Sequence, residues 1–400
     1  MAFNGKKYAA ALKIQTAAEV PATVTAASDA LILYDLRPST ETFTISNPET
    51  TGTFDRPGDM TTGRSRSVSF NVIIRGPGGA TPPAVDTFVL GRLLRMARFA
   101  ETSQTTAALA SGAVSAGTTT SAVLPAPAVA TDDAYNGLCC ILAGQSGTGL
   151  KQVSMIRDYV GSTKTATFME TFGSNLSGNI TIPPYLGYLY SDTAPDLFAS
   201  FDYWLDKKRY KMVNAIVSSL QLNFQVSNNS DTAFTYLSVT LTGDVHPTTP
   251  EVDETSPTIA QGGAMPIFND ADFWLGGKSF CGSGATIDFQ MQTARAPCPG
   301  SASGGEAPIV TEVRRSATMN INEVLLSVAD LNALAAAQGY HGMWLQYGQG
   351  GAGKCVSFGI PNARLGFSDA EIGGDFVTRS VNLMIDDIAK SMSIQFPYGF

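Results

Sequence analysis

RSRSVSFNVIIRG, residues 64–76, is the stretch whose reading decides the fold. Val68, Phe70, Val72 and Ile74 alternate with Ser67, Ser69, Asn71 and Ile73, and a period of two marks a strand with one apolar face. A Gly/Pro turn follows at Gly76–Pro83. VDTFVLGRLLRMARF (85–99) then sets Leu90, Leu93, Leu94 and Ala97 on one helical face. This unit of long strand, turn and amphipathic helix recurs. RRSATMNINEVLL starts at Arg314, with Ala317, Met319 and Ile321 in alternation. A second helix is expected over 327–338, with Ser327 and Asp330 as a capping box and Gly339 as its stop.

The echo extends further. At a distance after the first helix stands FDYWLDKKRYKMVNAIVSSLQLNF (201–224), then the alternating FTYLSVTLT (234–242). After the second helix come MWLQYGQGGAGKCVSFGIPNARLGF (343–367) and FVTRSVNLMID (376–386), with Lys208 and Lys354 in matching places. The same order of elements twice implies one β-rich module with a single flanking helix, present in two copies. The expected fold class is therefore mainly β: two sandwich or barrel modules, each with a helix, plus a small β insertion. The boundaries read as an N-terminal arm over 1–30, a first module over 31–245, a linker over 246–266 and a second module over 267–400. The insertion, 101–190, interrupts the first module: low-complexity text to 131 leads into a meander of short strands over 135–173. Short strands are expected at LILYDL and TFTIS within 31–46, and a polar loop with Pro48, Gly52, Pro57 and Gly58 over 47–63.

Composition narrows the function. Charged residues make up 15 % of the chain, against about a quarter in typical globular chains. So few charges suggest a surface largely covered in an assembly. A net charge of −8 makes the chain a poor tight binder of nucleic acid, because phosphate contacts need Lys and Arg. It still suits a wall past which nucleic acid moves. Five cysteines (139, 140, 281, 298, 355) with two adjacent, and no apolar stretch in MAFNGKKYAA, suggest reduced thiols in a protein made in cytoplasm. No run approaches the roughly 20 apolar residues of a membrane helix. Phe400 fits the terminal aromatic of an outer-membrane barrel, but no export signal accompanies it.

The constellations that carry chemistry are weak. GQGGAGKC (348–355) has the spacing of a phosphate-binding loop, but Cys355 stands where Ser or Thr would bind magnesium. VSFGIPNARL after it reads as strand, whereas a phosphate site needs a helix there. A hairpin is the expectation. SGTG (146–149) also lacks a following helix. His246 and His341 have no Cys or Glu at ligand spacing, and no G-x-S-x-G elbow appears. Arg92, Arg95 and Arg98 read as a solvated helix face. Trp204, Trp274 and Trp344 read as core or interface anchors. No catalytic, cofactor-binding or metal-ligating residue is assigned, and no cofactor.

RSRSVSFNVIIR with helix 85–99, the strand pair over 201–242 and their second copy at 314–386 resemble the major tail tube protein of long-tailed, non-contractile (siphovirus-like) bacteriophages. YNGLCCILAGQSGTGLKQVSMIRDYVGSTKTATF is similar to a small β segment of phage structural proteins. The resemblance implies a non-enzymatic virion protein, assembled in the host cytoplasm, whose sheets join around a ring and whose rings stack into a tube. The partners it implies are further copies of the chain, other tail proteins at the tube ends, and genomic DNA passing without specific binding; no membrane is implied. Two modules per chain suggest a trimer as a pseudo-hexamer, against a rival ring of six chains with the second module outside. Two further alternatives are another phage part, such as a terminator or capsid decoration, and a carbohydrate-binding β adhesin.

Overall fold

The computed structural model describes residues 7–48, 58–143, 153–225, 234–259, 271–279, 282–296, 306–322, 339–348, 353–373, 376–385 and 392–398, with positions 329, 330, 333 and 334. The chain is mainly β, built of large antiparallel sheets. β1 (Tyr8–Ile14), β2 (Ala30–Leu31), β3 (Tyr34–Ile45) and β4 (Met60–Ile73) lead to helix α1 (Val89–Met96). β5 (Phe99–Gln104) opens a run of short strands: β6 (Leu109–Ala113), β7 (Ser121–Val123), β8 (Cys139–Ala143), β9 (Val153–Val160), β10 (Thr165–Phe168) and β11 (Asn179–Ile182). β12 (Tyr185–Tyr190) closes it. The body continues with β13 (Ala199–Leu205), β14 (Lys208–Gln225), β15 (Tyr236–Val245) and β16 (Glu251–Asp253). The last part holds β17 (Ala271–Leu275), β18 (Lys278–Ser279), β19 (Gly282–Ala294), β20 (Ile309–Asn322), β21 (His341–Tyr347), β22 (Val356–Gly373), β23 (Phe376–Met384) and β24 (Ser393–Pro397).

The alternation in 64–74 is realised: Val68, Phe70, Val72 and Ile74 are buried, while Ser67, Ser69 and Asn71 lie half-buried on the opposite face. β4 pairs with β3 on one edge and β15 on the other, and β15 pairs with β14. Later in the chain β20 pairs with β19 and β23, and β23 with β22. The strand behind each group also has a counterpart. β1 pairs with β13 and β13 with β14, while β17 pairs with β21 and β21 with β22. β14 and β22 are long because each changes partners along its length: β14 pairs with β13 and β16 in its first half and with β19 in its second, and β22 with β21 and β24 in its first half and with β23 in its second. Near the change of partners, Asn214 of β14 takes a left-handed φ of 51°. Its side chain donates to Asp244 Oδ2 and accepts from the Glu19 amide, and Asn is one of the few residues that tolerates this backbone. At the corresponding point of β22 stands Asn362, also buried, accepting from Arg157.

One core runs through both groups. Phe70 stacks on Phe201 with ring centroids 5.5 Å apart. α1 buries Leu90, Leu93, Leu94 and Met96, each contributing about 1.5–3 kcal/mol of transfer energy. The expected helix 85–99 is thus shorter, and its arginines are not a solvated face. Arg92 is buried, donating to Asp29 Oδ1 at 2.9 Å and to the Leu12 carbonyl. Arg95 pairs with Asp86, and Arg98 with Asp196. Burial opposes the Asp29 carboxylate, but hydrogen bonds from Thr25 and the charge of Arg92 outweigh it and hold its pKa below the usual value. The α1 arginines therefore tie β1, the 25–29 turn and the helix together.

Other boundaries shift too. The expected arm over 1–30 contains β1, whose Ala9–Leu12 are fully buried against β13; small apolar side chains let the strands pack closely. The short strands expected within 31–46 are one 12-residue strand, β3, extended by its long partner and tolerating Pro38 because it is an edge strand. The expected insertion, 101–190, is narrower. β5 and β12 pair with each other, and β12 with β24, inside the main body. Only β6–β11 form the separate six-stranded sheet. That sheet does not stand apart. Met155 and Met169 pack on Trp344, Arg157 donates to the Pro361 and Tyr340 carbonyls, and Gln395 Oε1 accepts from the Cys139 amide. The expected linker 246–266 contributes β16, which pairs with β14. Most of the expected helix 327–338 lies outside the described residues.

Candidate assembly surface

β14 supplies the geometry on which the surface rests. Its Ser219–Gln225 half pairs with β15 on one edge and with β19 on the other, from Ser219 opposite Gln290 to Gln225 opposite Gly284. The strands β3–β4–β15–β14 and β19–β20–β23–β22 are thereby joined into one eight-stranded antiparallel sheet. Its two ends are open. Among the described residues β3 pairs only with β4, and the Arg364–Gly373 half of β22 only with β23. Unpaired N–H and C=O rows of this kind are templates for another strand.

The two faces of this sheet differ. The core face carries Phe70, Val239, Leu220, Phe289 and Met319. The other face is Ser, Thr, Asn and Gln, cross-linked along the sheet. Ser69 and Thr240 hydroxyls meet at 3.0 Å, Ser238 donates to Asn71 at 2.7 Å, and Thr318 donates to Asn382. The charges on it include the carboxylates of Glu41, Asp288, Glu312 and Glu371 and the guanidiniums of Arg37 and Arg314, placed there by strand parity. Beyond the sheet the β3–β4 hairpin exposes Phe43, Ile45 and Met60.

The sequence-level candidates fall elsewhere. Lys354 and Cys355 precede β22, so strand follows GQGGAGKC, as the hairpin reading expects; residues 349–352 and SGTG (146–149) lie outside the described residues. Among the described residues no His/Cys/Asp/Glu cluster of three suits a metal ion. Cys139, Cys140 and Cys355 are buried and form no disulfide, and burial pushes the Cys139 pKa up to about 12. Cys281 and Cys298 are outside the described residues. Trp204 and Trp344 are fully buried and Trp274 partly so, as anchors are. Among the described residues no helix is long and apolar enough to cross a membrane. The open edges are not evident from sequence periodicity. Pro38 inside a strand, beside charged Arg37 and three residues before Glu41, is a signal for the β3 edge.

No family model matches the chain, and no curated protein matches it significantly.

Proposed function

We propose that this chain is a structural, non-enzymatic subunit of a phage tail tube. Its rings would stack into a conduit through which genomic DNA passes without specific binding, with other tail proteins at the tube ends. The observation that carries the reading is the eight-stranded sheet open at both ends, with a polar, sparsely charged face. Closing such a sheet on further copies abolishes its edges. A Ser/Thr/Asn wall with excess carboxylate offers few cations to hold phosphate, so DNA slides instead of binding.

The doubled module belongs to the same proposal. The two groups of strands share their order and pairings. When they are matched through those pairings, Arg66, Ser67 and Asn71 of β4 fall on Arg315, Ser316 and Asn320 of β20. Ser238, Val239 and Leu241 of β15 fall on Ser380, Val381 and Leu383 of β23, and Asn214–Ala215 on Asn362–Ala363. Arg66 lies over Tyr203 and Tyr210, and Arg315 over Tyr190. Two modules per chain favour a ring of three chains with about 24 strands, more than the 16–18 that already enclose a water-filled channel. The carbohydrate-adhesin alternative loses support because Trp204 and Trp344 are buried, not clustered at a surface.

Electron microscopy of the purified chain tests the reading. Stacked rings with an axial channel are expected. Protein that stays monomeric at all concentrations, or that forms only unstacked particles, overturns it.

A further inference from the structure

We infer that β22 of one copy of this chain pairs antiparallel with β3 of the next, in the register of the internal β14–β19 junction, with Glu371 opposite Arg37. The inference rests on the ring reading above but not on what passes through the ring. Position in the sheet carries it. β22 stands to β23 as β14 stands to β15: Glu371 faces Thr378, as Asn223 faces Tyr236. β3 stands to β4 as β19 stands to β20: Arg37 faces Ser69, as Thr286 faces Thr318. Within the chain Asn223 faces Thr286, and their side chains meet through a hydrogen bond. Carrying that junction to the open ends puts Glu371 against Arg37.

The chemistry of the two edges fits. The neutral Asn/Thr pair inside the chain becomes a carboxylate facing a guanidinium between chains. Opposite charges directly across an antiparallel pair favour the register, and like charges oppose it. Both groups are accessible. Glu371 is exposed, and the Arg37 side chain is 74 % exposed and pairs locally with Asp35. An exposed pair of that kind contributes little, so its loss is a small obstacle. β22 against β3 repeats a join the chain already makes.

The test uses the full chain with charge reversal, read by analytical ultracentrifugation and electron microscopy. Arg37→Glu and Glu371→Arg are each expected to weaken ring formation by tenfold or more. The combination of both is expected to restore it to within about threefold of the native chain, because the pair is only turned round. Circular dichroism on each variant separates lost assembly from lost folding, and both sites are exposed edges. Single variants that assemble like the native chain, or a double variant no better than the singles, overturn the inference. A second, independent readout comes from Arg37→Cys combined with Glu371→Cys. Under oxidation, a covalent ladder that ends at three chains supports the threefold closure. A ladder to six keeps the register and replaces the threefold ring by a sixfold one, whereas no cross-linking in rings that do form rejects the register. Tubes that form regardless of these changes would leave the tube reading standing and remove this register. Cross-linked trimers that never stack would do the reverse. A chain monomeric at all concentrations removes both.

Discussion

The strands β3–β4–β15–β14 and β19–β20–β23–β22 are held by the same pairings, yet their leading strands live in different surroundings. Phe289 of β19 is fully buried against Phe99 and Tyr190. Thr40, in the corresponding place on β3, is exposed. The difference lies in what stands beside the strand. β19 has β14 on its free edge and β5 and β12 beneath it, while among the described residues β3 has neither. Local pairing therefore decides where a strand sits in its sheet, and the neighbouring group decides whether its side chains leave water.

A second contrast lies behind the sheets. Trp204 on β13 is covered by Val24, Ala26 and Ile259 from the segments flanking the first group. Trp344 on β21 is covered by Met155 and Met169 of the inserted six-stranded sheet. The insertion thus does for the second group what those flanking segments do for the first.

The largest effect should come from the buried leading strand. Phe289→Ala is expected to cost about 3–5 kcal/mol, by lost burial plus a cavity, whereas Thr40→Ala should cost only about 1 kcal/mol in the monomer, the hydrogen bond its hydroxyl accepts from Arg66. Equal losses in denaturant titration would break the comparison. Removing the insertion comes next. Gln104 and Tyr185 face each other, so a short Gly/Ser bridge between them rejoins a hairpin and strips the cover from Trp344. The expected loss is about 1.5–3 kcal/mol for the uncovered side chain, with a red shift in tryptophan emission. An unchanged emission maximum would mean that the insertion is not the cover.

Asp29→Asn probes the tie that only the first group has among the described residues. Loss of a hydrogen bond to a charged group should cost about 1.5–3 kcal/mol near neutral pH. Because the folded-state pKa of Asp29 lies below the ordinary 3.8, this contribution is fully present above that value. It fades as pH falls through the folded pKa. The gap between the native chain and the variant should therefore narrow below about pH 4, and a gap constant into acid would remove Asp29 as its cause. The smallest effect is expected at the two bends. Asn214→Ala should cost about 1 kcal/mol through its hydrogen bonds and more through its left-handed backbone, while Asn362→Ala should show the hydrogen-bond part alone. A thermal-melt comparison of the two variants sharpens how alike the bends are.

Much of the sheet is legible in the sequence. Alternation in RSRSVSFNVIIR places β4 with its apolar face inward, because side chains on a strand point to opposite faces in turn. The order of elements anticipates which segments become β13–β15 and β21–β23. The α1 arginines are not legible, because a charged helix face looks the same in sequence whether water or a buried Asp29 lies opposite. Nor is β1, because YAAALKI is too short and too small in its side chains to announce a strand without its partner.

By itself, the sequence determined the periodicities: the strand character of segments such as 64–74 and 234–242, and which face of each is apolar. These follow from local backbone geometry, which each segment carries within itself. The tertiary structure alone decided that β14 pairs with β19, that the inserted sheet lies over Trp344, and that among the described residues β3 and the Arg364–Gly373 half of β22 each pair on one edge only. Those outcomes depend on which edges meet across long stretches of chain, and no local period encodes the partner of an edge strand.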